Sequence, residues 1–216
     1  AWINITNARN YDRIYTNKSS NTYPFTIGIV NTRLAFSDKN NVNSITTVSQ
    51  LTVGKWTHIC VISTGSQSTA KIFIDGVLIS QEIKNGFAFS DITNIGSRGG
   101  VASFFNGSIE RPQIWNRALS DDEVKLLYES YNPSLHIDSL QKGLVAHWTM
   151  SQDSLKGSLL GDKTPYENDG TIYGATFTTD RKGKANSAMS FDGVNDYVIY
   201  TNLQNAAEGT IAVWAK

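Results

Sequence analysis

The sequence predicts an all-β protein, folded as an antiparallel sandwich with one short helix, and three observations lead to this prediction. Residues 54–80 contain three apolar runs rich in β-branched and aromatic residues, a composition typical of strands. Asp75-Gly76 separates the last two runs, and this dipeptide is typical of a two-residue type I′ hairpin turn. The first run is apolar on both faces, because Trp56 and Ile59 point to opposite sides. A strand buried on both faces requires a second layer, so we expect two packed sheets.

The same pattern predicts strands along most of the chain, separated by polar loops rich in Asn, Ser and Thr. Pro112 cannot donate a ladder hydrogen bond, so its strand is expected at a sheet edge or with a bulge. A hairpin is expected around Asn31, and two strands are expected to join near Asp192-Gly193. Outside the central run, the predicted strands are residues 1–5, 11–15, 25–30, 32–37, 105–115, 143–150, 170–177, 188–200 and 210–216.

One helix is predicted after the strand that contains Pro112. Ser120 is a good N-cap residue, and Glu123 stands at the N3 position that completes a capping box. Val124 starts an apolar helix face, and the helix stops before Pro133. The acidic triplet at residues 121–123 could be a metal cluster, but capping and the helix dipole explain all three carboxylates.

The composition excludes several classes of function. The 216 residues carry a formal net charge of +0, so no overall field attracts nucleic acid or an anionic membrane. Apolar runs fall short of the ~18 residues that a membrane-spanning helix needs, so membrane insertion is not expected. The single cysteine, Cys60, excludes an internal disulfide and stands between apolar strand residues, as a core residue would. The sequence starts without Met, so we expect a processed chain or part of a longer protein.

Two groups of motifs resemble the laminin G-like family of the concanavalin A-like lectin/glucanase superfamily. The first group is similar to the closing two-thirds of the family, although Glu110 stands where the family usually has Asp: GKWTH at 54–58, KIFIDG at 71–76 and FNGSIERPQIWNRALSDDEV at 105–124. The second group is similar to the opening third: GLVAHWTM at 143–150, NDGTI at 168–172 and SFDGVNDYV at 190–198. This resemblance implies an antiparallel jelly-roll β-sandwich of the concanavalin A-like type.

The order of these two groups is reversed relative to the family. Residues 1–133 resemble the closing two-thirds, residues 134–142 form a predicted linker, and residues 143–216 resemble the opening third. The chain is then either one circularly permuted jelly roll or a tandem repeat cut across a domain. Because half a domain would expose apolar sheet faces, we expect the two parts to complete a sandwich, within one chain or by exchange between copies.

The sequence lacks the acidic motif that catalytic members of this superfamily carry. Glycosidases of this kind use paired carboxylates in an E-x-D-x-E type of run, and no such run occurs here. His58 and His147 stand within predicted strands, where core or cross-strand positions are expected. The three histidines also lack the spacing of a zinc site. We therefore expect a protein without catalytic activity.

The resemblance also implies a structural calcium site, because similar domains often hold Ca²⁺ through Asp, Asn and backbone carbonyl oxygens. Calcium prefers six to eight oxygen ligands. Asp192, Asn195 and Asp196 stand within one predicted turn, where such oxygens would converge. A tight turn that uses Asp, Gly and Asn for their conformational freedom explains the same residues, and both interpretations stay open.

Aromatic and polar side chains in loops are the candidates for ligand binding. Sugars are commonly held by exposed aromatic rings together with polar side chains. The candidates are Tyr11, Tyr15, Arg98 and Tyr166. We predict a non-catalytic extracellular adhesion or recognition module that binds a glycan or a surface protein, within a larger repetitive surface protein. The alternative is a structural repeat of an extracellular filament or surface layer, assembled by strand exchange between neighbouring copies.

Overall fold

The structure is a computed structural model that describes residues 12–17, 25–38, 44–64, 68–84, 92–100, 102–129, 138–200 and 208–215. Within these residues the chain forms strands, two helices and one short 3₁₀ turn at Gln152–Ser154. The first half contains β1 Asp12–Asn17, β2 Phe25–Val30, β3 Arg33–Asp38, β4 Ser44–Gln50, β5 Thr57–Ser63, β6 Ser68–Ile74, β7 Val77–Lys84, β8 Ile92–Ile95, β9 Asn106–Trp115 and α1 Asp121–Glu129. The second half contains α2 Asp138–Gln141, β10 Leu144–His147, β11 Leu155–Lys156, β12 Leu159–Leu160, β13 Gly170–Tyr173, β14 Thr176–Thr178, β15 Ala188–Asp192, β16 Tyr197–Tyr200 and β17 Gly209–Ala215.

The strands build two large sheets, and the predicted antiparallel sandwich is confirmed. The first sheet has the order β11-β12-β13-β16-β8-β1-β2-β3-β4. The second sheet has the order β14-β15-β9-β17-β5-β6-β7, and β10 also pairs with β9. The inner faces of the two sheets share one hydrophobic core that includes Trp148, Phe36, Phe105 and Phe191. Phe105 and Phe191 meet edge to face with ring centroids 6.3 Å apart, an arrangement that aromatic pairs favour.

A second, smaller core explains why β5 is apolar on both faces. Every residue of β5 is buried. Ile59 and Val61 face the first sheet, whereas Cys60 and Ile62 belong to a cluster on the outer face of the second sheet. This outer cluster is covered by α1 and α2 through Leu119, Val124, Leu127 and Leu140. The two layers that bury β5 are therefore one sheet and one helical layer. Burial raises the pKa of the Cys60 thiol well above its usual range.

The predicted capping box of α1 is confirmed. The Glu123 amide donates a hydrogen bond of 3.2 Å to Oγ of Ser120, and the Ser120 amide donates one of 2.9 Å to Oε2 of Glu123. Arg117 donates two further hydrogen bonds of 2.8 Å to the Glu123 carboxylate. This guanidinium is the main reason that the pKa of Glu123 is lowered. Glu123 of the acidic triplet thus acts in helix capping, whereas Asp121 accepts a 2.6 Å hydrogen bond from Nζ of Lys71.

The two parts of the chain that carry the reversed motifs pair with each other in both sheets. β17 lies between β9 and β5, β15 also pairs with β9, and β16 pairs with β8. Within the predicted linker at 134–142, residues 138–141 form α2, and residues 134–137 lie outside the described residues. The division of the chain at this linker stays a prediction. The side chain of Leu140 in α2 is buried in the outer core. Its carbonyl accepts a 2.8 Å hydrogen bond from Nε1 of Trp115, which holds α2 against the second sheet.

The predicted turns and the proline position are resolved by the backbone. Asp75 and Gly76 have φ values of 51° and 76°, as a type I′ hairpin requires. Asn31 and Thr32, with φ values of 50° and 63°, join β2 to β3 in the expected hairpin.

Pro112 lies inside the second sheet and not at its edge, and the register between β9 and β17 shifts beside it. Of the two expected alternatives, the bulge is therefore the one that accommodates Pro112.

Candidate functional site

Three connections between the two sheets meet at one end of the sandwich. The residues 174–175 lead from β13 in the first sheet to β14 in the second, and residues 193–196 lead from β15 in the second sheet back to β16. The third connection, described at residues 96–100 and 102–105, leads from β8 to β9 and contains a short hairpin closed by the Arg98–Ala102 bridge. Loops at one end of a rigid sandwich are a common place for binding residues, so this end is the candidate site.

The turn at residues 193–196 is held by its own carboxylates. Oδ1 of Asp192 accepts hydrogen bonds from the amides of Val194 at 2.7 Å and Asn195 at 3.3 Å. Oδ2 of Asp196 accepts a 2.9 Å hydrogen bond from the amide of Asp192. Side chains that bond nearby amides in this way form Asx-type turns, which favour Asp and Asn. The two strands predicted to join near Asp192-Gly193 are confirmed as β15 and β16, and they belong to different sheets.

Glycine allows the neighbouring connection to pack directly against this turn. Gly174 has φ of +74°, and a Cβ at this position would collide with Oδ1 of Asp196. Asp196 is consequently buried between two backbone segments, and burial raises the pKa of its carboxyl group. The close fit fixes the end of β13, and with it the side chain of Tyr173.

An aromatic surface lies beside the turn, on the outer face of the first sheet. Tyr173 and Tyr197 are directly opposite in the β13–β16 pair, and their rings stack with centroids 4.6 Å apart and an interplanar angle of 12°. The ring of Phe104 lies 6.5 Å from that of Tyr197. Tyr173 is 45% exposed and Val194 is 61% exposed. We call Phe104, Tyr173, Val194 and Tyr197 the tyrosine patch.

The hairpin loop brings Arg98 to the same end. The Arg98 amide donates a 2.8 Å hydrogen bond to the Ala102 carbonyl, and the Gly100 amide donates one of 2.9 Å to Oγ of Ser97. Gly100 packs so closely on Tyr197 that an added Cβ would lie 2.9 Å from the ring. The half-buried Arg98 therefore belongs to a loop that packs against the tyrosine patch.

The structure separates the four predicted ligand residues. Tyr15 lies in β1 with 0% exposure and belongs to the core, so the expectation of an exposed loop position is wrong. Its ring is buried because β1 is covered on both sides, by β2 and by β8, and packs against the opposite sheet. Tyr166 is 49% exposed in the loop between β12 and β13, and Arg98 lies beside the tyrosine patch. Tyr11 lies outside the described residues.

Sequence reasoning missed Tyr173 and Tyr197. Each stands in a predicted strand, and alternation along β16 does indicate that Tyr197 faces away from the core residues Val198 and Tyr200. The pairing of β13 with β16, which places the two rings together, is a long-range contact without a local signal.

The predicted calcium ligands lie at this end, where one oxygen of each carboxylate already accepts a backbone hydrogen bond. Asp192 and Asp196 accept the backbone hydrogen bonds described above, and Asn195 is exposed. Within the ranges that the structure describes, no group of three or more His, Cys, Asp or Glu side chains could hold a metal ion. Asn168 belongs to a separate network, in which its Nδ2 donates a 2.9 Å hydrogen bond to the Val145 carbonyl. Calcium binding at Asp192, Asn195 and Asp196 stays a prediction.

That separate network fixes the loop between β12 and β13. The buried carboxylate of Asp162 accepts hydrogen bonds from the amides of His147, Thr164 and Asn168 at 2.9 Å to 3.0 Å. Oγ1 of Thr164 donates a further hydrogen bond of 2.7 Å. Nε1 of Trp148 donates to the Asn168 carbonyl at 2.8 Å. Because these donors come from β10 and from the loop itself, the network ties the loop to the second sheet.

A further group of polar and aromatic residues forms a row on the outer face of the second sheet. His58 and Glu110 are both direct neighbours of Trp214, on the two sides of β17. Tyr128 of α1 stacks on Trp214 with ring centroids 6.2 Å apart. Arg181, from the loop between β14 and β15, forms an ion pair of 3.6 Å with Glu110. The row joins five separate parts of the chain, which are β5, β9, β17, α1 and the β14–β15 loop. We interpret it as a structural element, in which Glu110 is used in an ion pair.

Comparison with known proteins identifies one family. A family model described as the concanavalin A-like lectin/glucanases superfamily matches residues 1–125, which is more than half of the 216 residues. No curated protein matches the chain. In the described part of the chain, neither helix has the length and apolar character needed to span a membrane.

Proposed function

The chain belongs to the concanavalin A-like lectin/glucanases superfamily, and from this membership we propose that it is a non-catalytic extracellular adhesion or recognition module that binds a glycan or a surface protein. Laminin G-like domains are generally binding modules and are typically extracellular. The larger protein would present the module at a cell surface. Neutral overall charge is consistent with a partner that is neither nucleic acid nor an anionic membrane.

The tyrosine patch is the observation that carries this proposal. Large side chains on the surface of a soluble domain are ordinary when they stand alone, but a contiguous group beside fixed loops is typical of an interaction site. Here Tyr173, Tyr197 and Val194 lie together at the end where three connections meet, with Arg98 on the adjoining hairpin.

The buried carboxylates support a binding role over a catalytic one. A glycosidase needs two carboxyl groups facing one sugar bond, at separations of roughly 5–9 Å. Glu110 is paired with Arg181, and Asp162 accepts hydrogen bonds from surrounding amides. Asp180 is likewise used locally, since its Oδ1 accepts the amides of Lys182 and Lys184. Each of these groups already stabilises a turn, loop or ion pair.

A structural repeat is the second candidate, and the position of β17 favours it. This strand is inserted between β9 and β5 and pairs with β5 along its whole length. A central strand of this kind could complete the sheet of a neighbouring copy as well as its own. Light scattering on the purified chain separates the two candidates: a monomer supports the recognition module, and long or polydisperse assemblies support the filament.

The recognition function is tested by a binding screen with two matched variants. We would immobilise the chain and screen a glycan array and a set of extracellular matrix proteins. Tyr173→Ala removes the exposed ring of the tyrosine patch, and Tyr166→Ala removes an equally exposed ring in another loop. Loss of binding in the Tyr173 variant alone supports the proposed site. Loss in the Tyr166 variant alone moves the site to the β12–β13 loop, and no binding to either set contradicts the recognition function.

A further inference from the structure

The ring of Tyr173 has one covered face and one open face. Tyr197 covers one face, because the two rings are nearly parallel at a centroid distance of 4.6 Å. Even so, 45% of Tyr173 is exposed, and a ring stacked on one side can reach such exposure only through its other face and its edge. β12 pairs with β13 only at Thr171 and Gly170, so its ladder stops short of Tyr173. The open face therefore lies beyond the end of the neighbouring strand.

This open ring is held in place before any ligand arrives. The following residue, Gly174, packs against the carboxylate of Asp196, which is itself bonded to the amide of Asp192. On the other side, Gly100 of the hairpin presses on the ring of Tyr197. Side chains that are fixed in advance lose little conformational entropy on binding, which favours affinity. The tyrosine pair is therefore a preformed platform.

The groups around the platform are polar. The turn contributes the exposed side chains of Asn195 and Asp192, and the hairpin carries the half-buried Arg98. A sulfated or sialylated glycan would require a local excess of cations, whereas the exposed charged side chain of this turn is the carboxylate of Asp192. Carboxylate and amide groups are, in contrast, suited to hydroxyl groups, which both donate and accept hydrogen bonds.

Resting on the proposed recognition function, we infer that the tyrosine patch binds a neutral glycan by stacking a pyranose ring on the open face of Tyr173. A pyranose combines an apolar face of C–H groups with a rim of hydroxyls, which matches a flat ring bordered by polar side chains. Asn195 and Asp192 are the exposed polar side chains of the adjoining turn that would bind the hydroxyl rim. Tyr197 supports the platform from behind.

Isothermal titration with defined oligosaccharides tests this inference. The probes are cellohexaose, maltohexaose, xylohexaose, mannohexaose and chitohexaose as neutral chains, and sialyllactose and a heparin hexasaccharide as anionic ones. We expect at least one neutral probe to bind and no anionic probe to bind more tightly. Tyr173→Ala should weaken binding about tenfold or more, because the stacking surface is lost. Tyr173→Phe keeps the ring and should stay close to the wild type, as should the control Val77→Ala at an exposed residue of the β6–β7 hairpin.

The outcomes distinguish this inference from the broader proposal. Preference for an anionic probe, equal binding by the Tyr173→Ala variant, or no binding of any neutral probe overturns the neutral-glycan inference. If a protein ligand from the wider screen binds and is lost in Tyr173→Ala, the site is a recognition site for protein and only the carbohydrate inference fails. Circular dichroism of each variant shows that lost binding does not come from unfolding.

Discussion

The guanidinium carbon of Arg181 lies 3.8 Å above the ring centroid of Trp214. The same side chain forms the ion pair with Glu110, a residue that is only 1% exposed. Trp214 belongs to β17, Glu110 belongs to β9, and Arg181 belongs to the loop between β14 and β15. One arginine thus links both parts of the chain by a cation–π contact and a buried ion pair.

Removal of Arg181 should destabilise the fold strongly. Arg181→Ala leaves the Glu110 carboxylate buried beside Trp214 without its cation, and breaking one side of a buried pair typically costs about 3–5 kcal/mol. Urea denaturation measures this loss against Lys182→Ala, a control at the exposed adjacent residue that should change stability by less than about 0.5 kcal/mol. Equal midpoints for the two variants would show that the ion pair contributes nothing. The double variant Glu110→Gln with Arg181→Met should recover part of the loss.

Asp162 should be the most sensitive carboxylate in the β12–β13 loop. Asp162→Ala leaves buried amide and hydroxyl donors of His147, Thr164 and Asn168 without an acceptor. We expect a loss of about 3 kcal/mol or more, because hydrogen bonds to a charged group contribute roughly 1.5–3 kcal/mol each. Thermal unfolding measures it. Asp153→Ala removes a carboxylate in an exposed ion pair and should be nearly neutral. A neutral result for Asp162→Ala would contradict the network.

Stability should fall as the protein is acidified below about pH 6.5. Burial lowers the pKa of His58 well below its usual range and lowers that of His147 to about 4. A histidine that is neutral when folded contributes stability above its unfolded pKa of about 6.5, and this contribution is lost as the pH falls toward the folded pKa. Each histidine can therefore give a slope of up to about 1.4 kcal/mol per pH unit.

Glu110 acts in the opposite direction. Burial raises its pKa, so its charged form opposes folding at neutral pH and this cost diminishes as it becomes protonated. Asp196, whose pKa burial also raises, acts in the same direction as Glu110. Denaturation midpoints measured between pH 7.5 and pH 4.5 should still decline, because the pKa shifts of the two histidines are larger than those of the two carboxylates. His147→Gln should flatten the profile. A wild-type profile without slope across this range would contradict burial of neutral imidazoles.

The predicted calcium site is tested by thermal unfolding with and without a chelator. A ligand that binds only the folded state raises the melting temperature as its concentration rises. If Ca²⁺ binds Asp192, Asn195 and Asp196, millimolar calcium chloride should raise the melting temperature and EDTA should reverse the change. Asp192→Asn should abolish this response. Identical melting curves in calcium and in EDTA would leave the carboxylates with the turn function that their hydrogen bonds already show.

Features governed by neighbouring residues could be predicted from the sequence. The capping box of Ser120 and Glu123 and the Asp75-Gly76 turn depend on spacings of one to three residues, and both are confirmed. The sandwich itself followed from alternation and from apolar runs. The resemblance to the family also extended the prediction beyond local signals, because it supplied the overall architecture.

Features governed by distant contacts could not be predicted. The burial of Tyr15 depends on β2 and β8 and on the opposite sheet, whereas its own surroundings in sequence are polar. The helical cover over β5 depends on how α1 folds back, and an apolar strand face does not reveal whether a sheet or a helix will cover it. The stacked pair of Tyr173 and Tyr197 lies where three connections meet, and no pattern among residues that are neighbours in sequence indicates this meeting.

The central position of β17 also affects how the protein folds during synthesis. Translation delivers β5 and β9 first, and until residues 209–215 emerge, both strands present unpaired backbone toward the place that β17 will fill. Completion of the second sheet therefore waits until residues 209–215 have been synthesised, and pairing between residues so distant in sequence is slow. When several ribosomes translate one messenger RNA, the unpaired edges of β5 and β9 would pair with β17 of a neighbouring nascent chain. The rate of translation, as well as the sequence, would then determine the fraction of molecules in which β17 pairs within its own chain.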